Sequence, residues 1–516
     1  MPATYKVYVD WANDGTFTAA ADDVTARVLD GRAPVTVSYG RDTARAGAPV
    51  TGGEVGFTLD NESRDYSPEN ASSPLAGQVL PGRSVFAKAT LSGVDYTVFR
   101  GSLDDFQLQP DADDHSITAT CIDGLARLKG QQITTALYRG IRTGEAIGAI
   151  LDAVGWTGTR DIDLGATVMP FWWLSNTDAF DAVIELIDSE GQPALATVGS
   201  DGGFVFRDRH HRVFRTESTT VQSTWRSSGL EPLVSSPTSY NHGWKEIINS
   251  VTYEVPLRQA TGAASVAWSA PGRLSVAGGE TLVVTATGGA AMMDAITPEG
   301  GVDYTLASGA VTVALSQTSG QTISILVTEA GAGAAEIDNL QLRARTIDTV
   351  ATVRVTVEDA GSVAQYGRRS AKTERDPVWA SPYDALAIGE ILVGRRAQRL
   401  PTITVSMVGA GAAVRLLQIL TRNLSDRVHL VEEHTGLDAD CFVERISHSI
   451  TQGGLEHRAT FALERAPTEV ATPLTFGVAG RGFNDGRFQA MGIVAGNAVL
   501  LFDAAGQGFN DGKFGY

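Results

Sequence analysis

Short apolar-rich runs, broken by Gly, Pro, Asp and Asn, dominate the first quarter of this chain. The runs at 5–10, 24–29, 35–39, 54–60, 84–91, 96–108 and 116–121 predict strands, and their regular spacing predicts a β-barrel or sandwich over 1–125. The pattern then changes period. Ile147, Ile150, Leu151 and Val154 recur at i, i+3, i+4 and i+7, with Thr143 as the expected cap and Gly155 as the stop. Phe180, Val183, Ile184 and Ile187 make a second such stripe. Here Thr177 or Ser175 is the expected cap, Asp178 suits the positive helix end, and Gly191 ends it. Residues 195–198 and 204–207 follow as two strands around the glycine turn 199–203. This helix-plus-hairpin unit contains no obvious chemistry. A strand at 247–255 follows.

Residues 260–335 shift character again. They hold one basic residue (Arg273) and five acidic ones (Glu280, Asp294, Glu299, Asp303, Glu329), far fewer charges than the 19% of the whole chain. The alternating runs 281–287 and 311–315 predict an inserted β-domain. Mixed structure returns at 346–466. A strand is expected at 350–357. Ser381 and Pro382 open a helix running to about residue 396, with Asp384 in its first turn. Ile403, Val405 and Met407 share one face of a strand, and a short helix covers 412–421. Runs at 427–431, 442–444, 446–450 and 458–464 predict an antiparallel set with a turn at Gly453-Gly454. The tail repeats itself: GFNDGRF at 482–488 and GFNDGKF at 508–514, with a shorter version at 13–17. Asn-Asp-Gly is turn chemistry, and the following Phe would anchor each turn. Asn13, Asp14, Phe17, Asn484, Asp485, Phe488, Asn510, Asp511 and Phe514 are therefore the candidate interaction turns.

Composition narrows the function. With 516 residues, three to five domains are expected. A net charge of −18 argues against a nucleic-acid binder held by phosphate contacts and against attraction to an anionic membrane. It suits a conduit through which DNA slides without sticking. Cys121 and Cys441 are read as free, partly buried thiols, with a disulfide as the alternative. The first residues lack a signal-peptide core, and no run approaches ~18 apolar residues, so no membrane span is expected.

Three constellations bear on catalysis or metal binding. His429-Leu-Val-Glu-Glu-His434 has neither zinc-protease spacing and alternates like a strand. Asp208, His210 and His211 have no G-x-S-x-G elbow, and adjacent histidines point to opposite faces of an extended segment. Asp10–Gly15 resembles the start of a calcium loop, but Ala12 and Ala21 stand where an EF-hand needs ligands. Trp172 and Trp173 are a candidate aromatic contact, as a sugar platform or as core and inter-domain packing. No P-loop, dinucleotide fingerprint or C-x-x-C is present. No catalytic residue, cofactor or metal site is expected.

One resemblance extends this reading. Val9-Asp10-Trp11-Ala12-Asn13-Asp14-Gly15-Thr16-Phe17, then Asp23–Leu29, Phe57-Thr58-Leu59-Asp60-Asn61, Tyr66-Ser67-Pro68, Ser72–Gly77 and Leu80-Pro81-Gly82-Arg83 occur in order. The helix-plus-hairpin unit, Asn249-Ser250-Val251, Tyr366-Gly367-Arg368-Arg369, Arg427-Val428 and His457–Phe461 complete the series. In this order of features the chain resembles the tail hub or minor tail proteins of long-tailed actinobacteriophages, which are similar to baseplate hub proteins of contractile tails. The match covers roughly 1–255 and 346–466; the segment 260–345 and the tail depart from it.

The resemblance implies an α+β, β-dominated multidomain fold. Its expected parts are an N-terminal β-barrel-like hub domain (1–125), a mixed hub domain (126–258), an inserted low-charge β-domain (259–345), a hub-completing domain (346–466) and the repeat-bearing tail (467–516). It implies a non-enzymatic homotrimer closing the distal tail tube at the virion tail tip, assembled in the host bacterial cytoplasm. The implied partners are the distal tail protein, the C-terminal region of the tape-measure protein, and tail fibre or receptor-binding proteins. DNA would only pass through. The alternative is a receptor- or glycan-binding minor tail protein at the tail periphery. A wall hydrolase is a third reading, although 467–516 is too short to hold such a domain.

Overall fold

The structure is a computed structural model. It describes residues 3–41, 50–109, 114–229, 234–242, 246–317, 319–331, 333–371, 376–399, 401–410 and 412–466. Among the described residues strands hold 47% and helices 17%, so the fold is α+β and β-dominated.

Twelve strands form one sheet. Six come from the start of the chain: β1 (Thr4–Val9), β2 (Val35–Arg41), β3 (Val50–Asp60), β4 (Ser84–Leu91), β5 (Val94–Leu108) and β6 (Ser116–Ile122). The rest are β7 (Ser223–Arg226), β8 (Ser235–His242), β9 (Pro401–Val408), β10 (Arg427–Glu432), β11 (Leu437–Thr451) and β12 (Glu456–Arg465). The order is β1-β4-β5-β6-β3-β2-β11-β12-β9-β8, with β10 on β11 and β7 on β10. Alternation explains the inner faces. Val85, Ala87, Ala89 and Leu91 of β4 join Val55, Phe57 and Leu59 of β3 in one core, where Trp11 stacks on Phe106 at 5.9 Å. Ile403, Val405 and Met407 of β9 join Val428, Leu430 and Phe461 in a second core around Trp225. Cys121 and Cys441 lie in these two different cores as free thiols.

β11 and β12 form the spine between the two halves. One edge of β11 pairs with β10 over Leu437–Phe442 and with β2 over Arg445–Ile450. The other edge pairs with β12, and its register shifts between Val443 and Arg445. Glu444 is thus a bulge residue at the changeover, where the strand bends and re-aims a side chain. The runs at 442–444 and 446–450 are therefore one strand, not two.

Two sequence expectations are corrected nearby. Residues 24–29 are not a strand: Thr25–Arg27 is a 3-10 turn. The Thr25 hydroxyl accepts the Val7 N–H at 3.0 Å, so the segment lies across the β1 edge instead of extending a sheet. The caps also differ. In α1 (Thr143–Ala153) the Arg142 N–H donates to the Glu145 carboxylate, while the Thr143 hydroxyl turns inward to Glu190. In α2 (Ala179–Glu190) the cap is Asp178, which accepts from the Phe180 and Asp181 N–H groups.

The stripes of α1 and α2 pack with the hairpin Leu195–Val198/Phe204–Arg207 around the buried Trp172. The chain then leaves along Ser250–Ala260 and returns along Gln341–Glu358, an antiparallel ribbon carrying the low-charge β segment at its end. Helix α3 (Pro382–Arg396), capped by Ser381, lays Ile388 and Leu392 on Val251 and Tyr253 of that ribbon. Helix α4 (Ala413–Thr421) follows β9.

Candidate functional site

The densest charge cluster sits where the two halves of the large sheet meet. The Glu444 carboxylate lies 2.6 Å from the Arg212 guanidinium and 3.6 Å from that of Arg41. Glu464 of β12 lies 2.9 Å from Arg395, 3.5 Å from Arg396 and 3.7 Å from Arg212. Several of these buried atoms miss hydrogen-bond geometry, so the attraction is mainly coulombic rather than directional. Arg212 also sits over the Phe442 ring, 4.6 Å from its centre, and Arg41 donates to the Ala194 carbonyl at 2.6 Å. Burial pushes the Glu464 carboxyl up, but Arg395, Arg396 and Arg212 outweigh it and hold the group well below the usual carboxylate range. The cluster ties β2, β11, β12, α3 and the helical module to one point. Its chemistry is that of a lock in which four guanidinium groups hold two carboxylates that also lie within hydrogen-bond reach of each other.

A second buried carboxylate closes the helical module. Glu190 accepts from the Thr143 hydroxyl at 2.7 Å, from the Ala166 and Thr167 N–H groups at 3.0 Å, and from the Arg209 N–H at 3.3 Å. Arg209 in turn donates to Thr167 and to the Glu190 carbonyl, both at 2.8 Å.

The 195–207 hairpin walls a cleft of about 810 Å³, faced by Tyr96, Leu420 and Asp426. At its base His211 Nδ1 lies 2.7 Å from Asp163, which also takes the Arg215 guanidinium at 2.7 Å. Burial raises the Asp163 carboxyl, but His211 and Arg215 overcome it and bring it down to about 2. His211 Nε2 faces Glu217 at 3.4 Å, so both ring nitrogens are turned to carboxylates. This anchors a helix end; it does not form a nucleophile–base pair, which needs a hydroxyl or thiol on the ring. His210 points elsewhere, with its ring against Phe214. Asp208 bonds the His210 N–H.

A fourth constellation lies between β1 and the spine. The Tyr5 hydroxyl is 2.7 Å from His457 Nδ1, and His457 Nε2 is 2.9 Å from His448 Nδ1. With Tyr5 donating, His457 carries its proton on Nε2 and passes the bond to His448 Nδ1. Both rings are buried. Burial lowers both imidazoles, His448 to about 4, and His457, with His448 beside it, well below the usual imidazole range.

The other candidates fall in plain places. Asn13 has φ 56°, and Asp10 accepts the Asp14 and Gly15 N–H groups, so the turn satisfies itself. The exposed Asp14 bonds the Thr16 N–H and hydroxyl, which lowers its carboxyl. Phe17 packs half-buried on Phe86, ring centres 5.6 Å apart, under Arg100. Asn484, Asp485, Phe488, Asn510, Asp511 and Phe514 lie outside the described residues. His429 on β10 faces Asp440 at 2.7 Å and Asp438 at 3.0 Å across the strand pair, and the His434 N–H donates to Glu432. Among the described residues no group of three His, Cys, Asp or Glu side chains could hold a metal ion.

Trp172 is wholly buried. Trp173 is half-buried, edge-on to Trp379 at 5.5 Å, with Arg258 4.3 Å above the Trp379 ring. Gly320 of the inserted segment lies against Trp173 so closely that a Cβ there would stand 2.7 Å from the ring. The Gly320 N–H donates to the Thr135 carbonyl, and Arg139 pairs with Asp294 at 2.9 Å. Trp173 therefore clamps the insert to the helical module. Trp173→Ala is expected to cost about 2–4 kcal/mol, discounted for partial exposure, and to raise the rate of proteolytic cleavage within 260–345. Unchanged cleavage would contradict the clamp.

Sequence reading missed Asp163, Glu190, Glu444, Glu464, Arg41 and Arg212, because each partner comes from a distant element. One signal was present: Glu444 directly follows the apolar run Cys441-Phe442-Val443 of β11.

No family model and no curated protein matches this chain. Among solved structures, it is similar to the tail protein from Neisseria meningitidis MC58, with 9% identity, a TM-score of 0.48, and coverage of 91% of this chain and 99% of that one. It is also similar to the 43 kDa tail protein of prophage MuSo2 from Shewanella oneidensis, at 12% identity and a TM-score of 0.47, covering 90% and 98%. A third likeness is to prophage tail protein gp18 from Listeria monocytogenes EGD-e, at 10% identity and a TM-score of 0.40, covering 89% and 94%.

Proposed function

We propose that this chain is a structural protein of a phage tail, and more finely a hub that closes the distal end of the tail tube as a homotrimer. Its partners in this reading are the distal tail protein, the tape-measure C-terminal region, and fibre or receptor-binding proteins, with DNA passing through. The ordered residue strings over 1–255 and 346–466 support this reading. The observation that carries the reading is the single twelve-stranded sheet built from both ends of the chain, locked at its changeover by the Glu444 and Glu464 cluster. A ring component must transmit load between neighbours without its halves shearing, and a continuous ladder with a buried ionic lock supplies that stiffness. The clefts and histidines contribute anchoring contacts. Mass measurement with low-resolution imaging of the purified chain tests this: a trimeric ring is expected, and a persistent monomer contradicts it.

A further inference from the structure

A free strand edge presents unpaired N–H and C=O groups and recruits another strand unless something blocks it. The edges of the twelve-stranded sheet are blocked. The segment 22–25 crosses β1, with Val9 N–H on the Asp22 carbonyl and Val24 N–H on the Val7 carbonyl. β8 contains Pro237, and its register is irregular between Ser235 and Ser239. β7 is four residues long and ends on Arg226.

The insert differs. Thr281–Thr287 and Val311–Gln317 flank Thr322–Glu329 in a three-stranded sheet. Each edge strand has seven residues, with no charge, no proline and no register shift. Leu282, Val284 and Ala286 on one edge, and Val311, Val313 and Leu315 on the other, belong to the insert core. The opposite face is Thr, Ser, Ala, Val and Leu, again uncharged.

We propose that these two edges pair between copies of this chain, 281–287 of one copy beside 311–317 of the next. Two copies of a chain with a net charge of −18 repel overall, and these two edge strands carry no charged residue to add to that repulsion. Both edge strands run antiparallel to the central strand, so head-to-tail addition makes a parallel pair and continues both faces of the sheet. Self-pairing of one edge would leave the other open, whereas a closed ring leaves none. The ring rests on the trimer reading, in which three such sheets close nine strands into a barrel that side chains fill, so the belt shuts the tube and must part before DNA passes.

The test is the double variant Thr312→Lys/Ser316→Lys in the full chain. Both positions are exposed, so the charges block the edge without entering the core. Amide hydrogen exchange and solution mass are measured together. In the wild type the outward amides of 281–287 and 311–317 are expected to exchange slowly, and in the variant roughly tenfold faster or more, with weakened association. A trimer whose edge amides exchange equally fast in both proteins overturns the pairing and leaves the trimer standing. A monomeric wild type overturns the trimer and the ring with it.

Discussion

Replacing Glu444 by glutamine is expected to remove about 3–5 kcal/mol of folding stability, the cost of leaving buried guanidinium groups without their counter-charge. Glu444 is 1% exposed, and Arg41 and Arg212 are nearly as buried. In water a lost partner is replaced by solvent; here nothing replaces it. The exposed Lys88–Asp95 pair, at 2.7 Å, is the contrast. Asp95→Asn is expected to change stability little, because solvent screens that pair. Burial, not distance, decides which change matters. Urea denaturation of both variants checks this. Equal midpoints would show that the junction is not the lock described.

The second large effect is acid destabilisation through His448 and His457. An imidazole whose folded pKa is depressed binds fewer protons folded than unfolded. Its contribution is complete above the unfolded value of about 6.5 and is lost as pH falls toward the folded value. For His448 that window runs from about 6.5 to about 4, and the loss is about 3 kcal/mol. His457 is lowered too and adds in the same direction. Asp123 and Asp426 oppose it: burial raises both carboxyls to about 6, so the folded state gains protons there as pH falls. The whole-protein curve therefore mixes both signs. The double variant His448→Gln/His457→Gln isolates the histidines, since glutamine bonds but does not titrate. Its stability is expected to fall less than that of the wild type between pH 6.5 and 4. Parallel curves would show that the pair does not titrate in this window.

Much of the fold was legible because local pattern and tertiary role agree. Residues 84–91 alternate cleanly and pair on both sides as β4. The hairpin at 195–198 and 204–207 was legible for the same reason, as was the Ser381–Pro382 helix start. Residues 24–29 look equally strand-like, but Thr25 uses its hydroxyl on β1, a competition that pattern does not record. The cap of α2 fell to Asp178 rather than to its neighbours for a related reason: several short polar side chains stood in line, and backbone geometry chose among them. Trp173 was readable as an aromatic contact, but its partner Gly320 lies far along the chain. The charge lock was least legible. Single arginines and glutamates in five elements carry no local mark of meeting, and only the fold brings them together.

The central claim is that this chain forms a ring at the end of a tail tube. Imaging of the whole particle by electron cryomicroscopy tests it most directly. Three copies around the tube axis at the distal end, with the β11–β12 spine continuous between the two sheet halves, are expected. Copies confined to the tail periphery, away from the axis, would contradict the account and favour a receptor- or glycan-binding role.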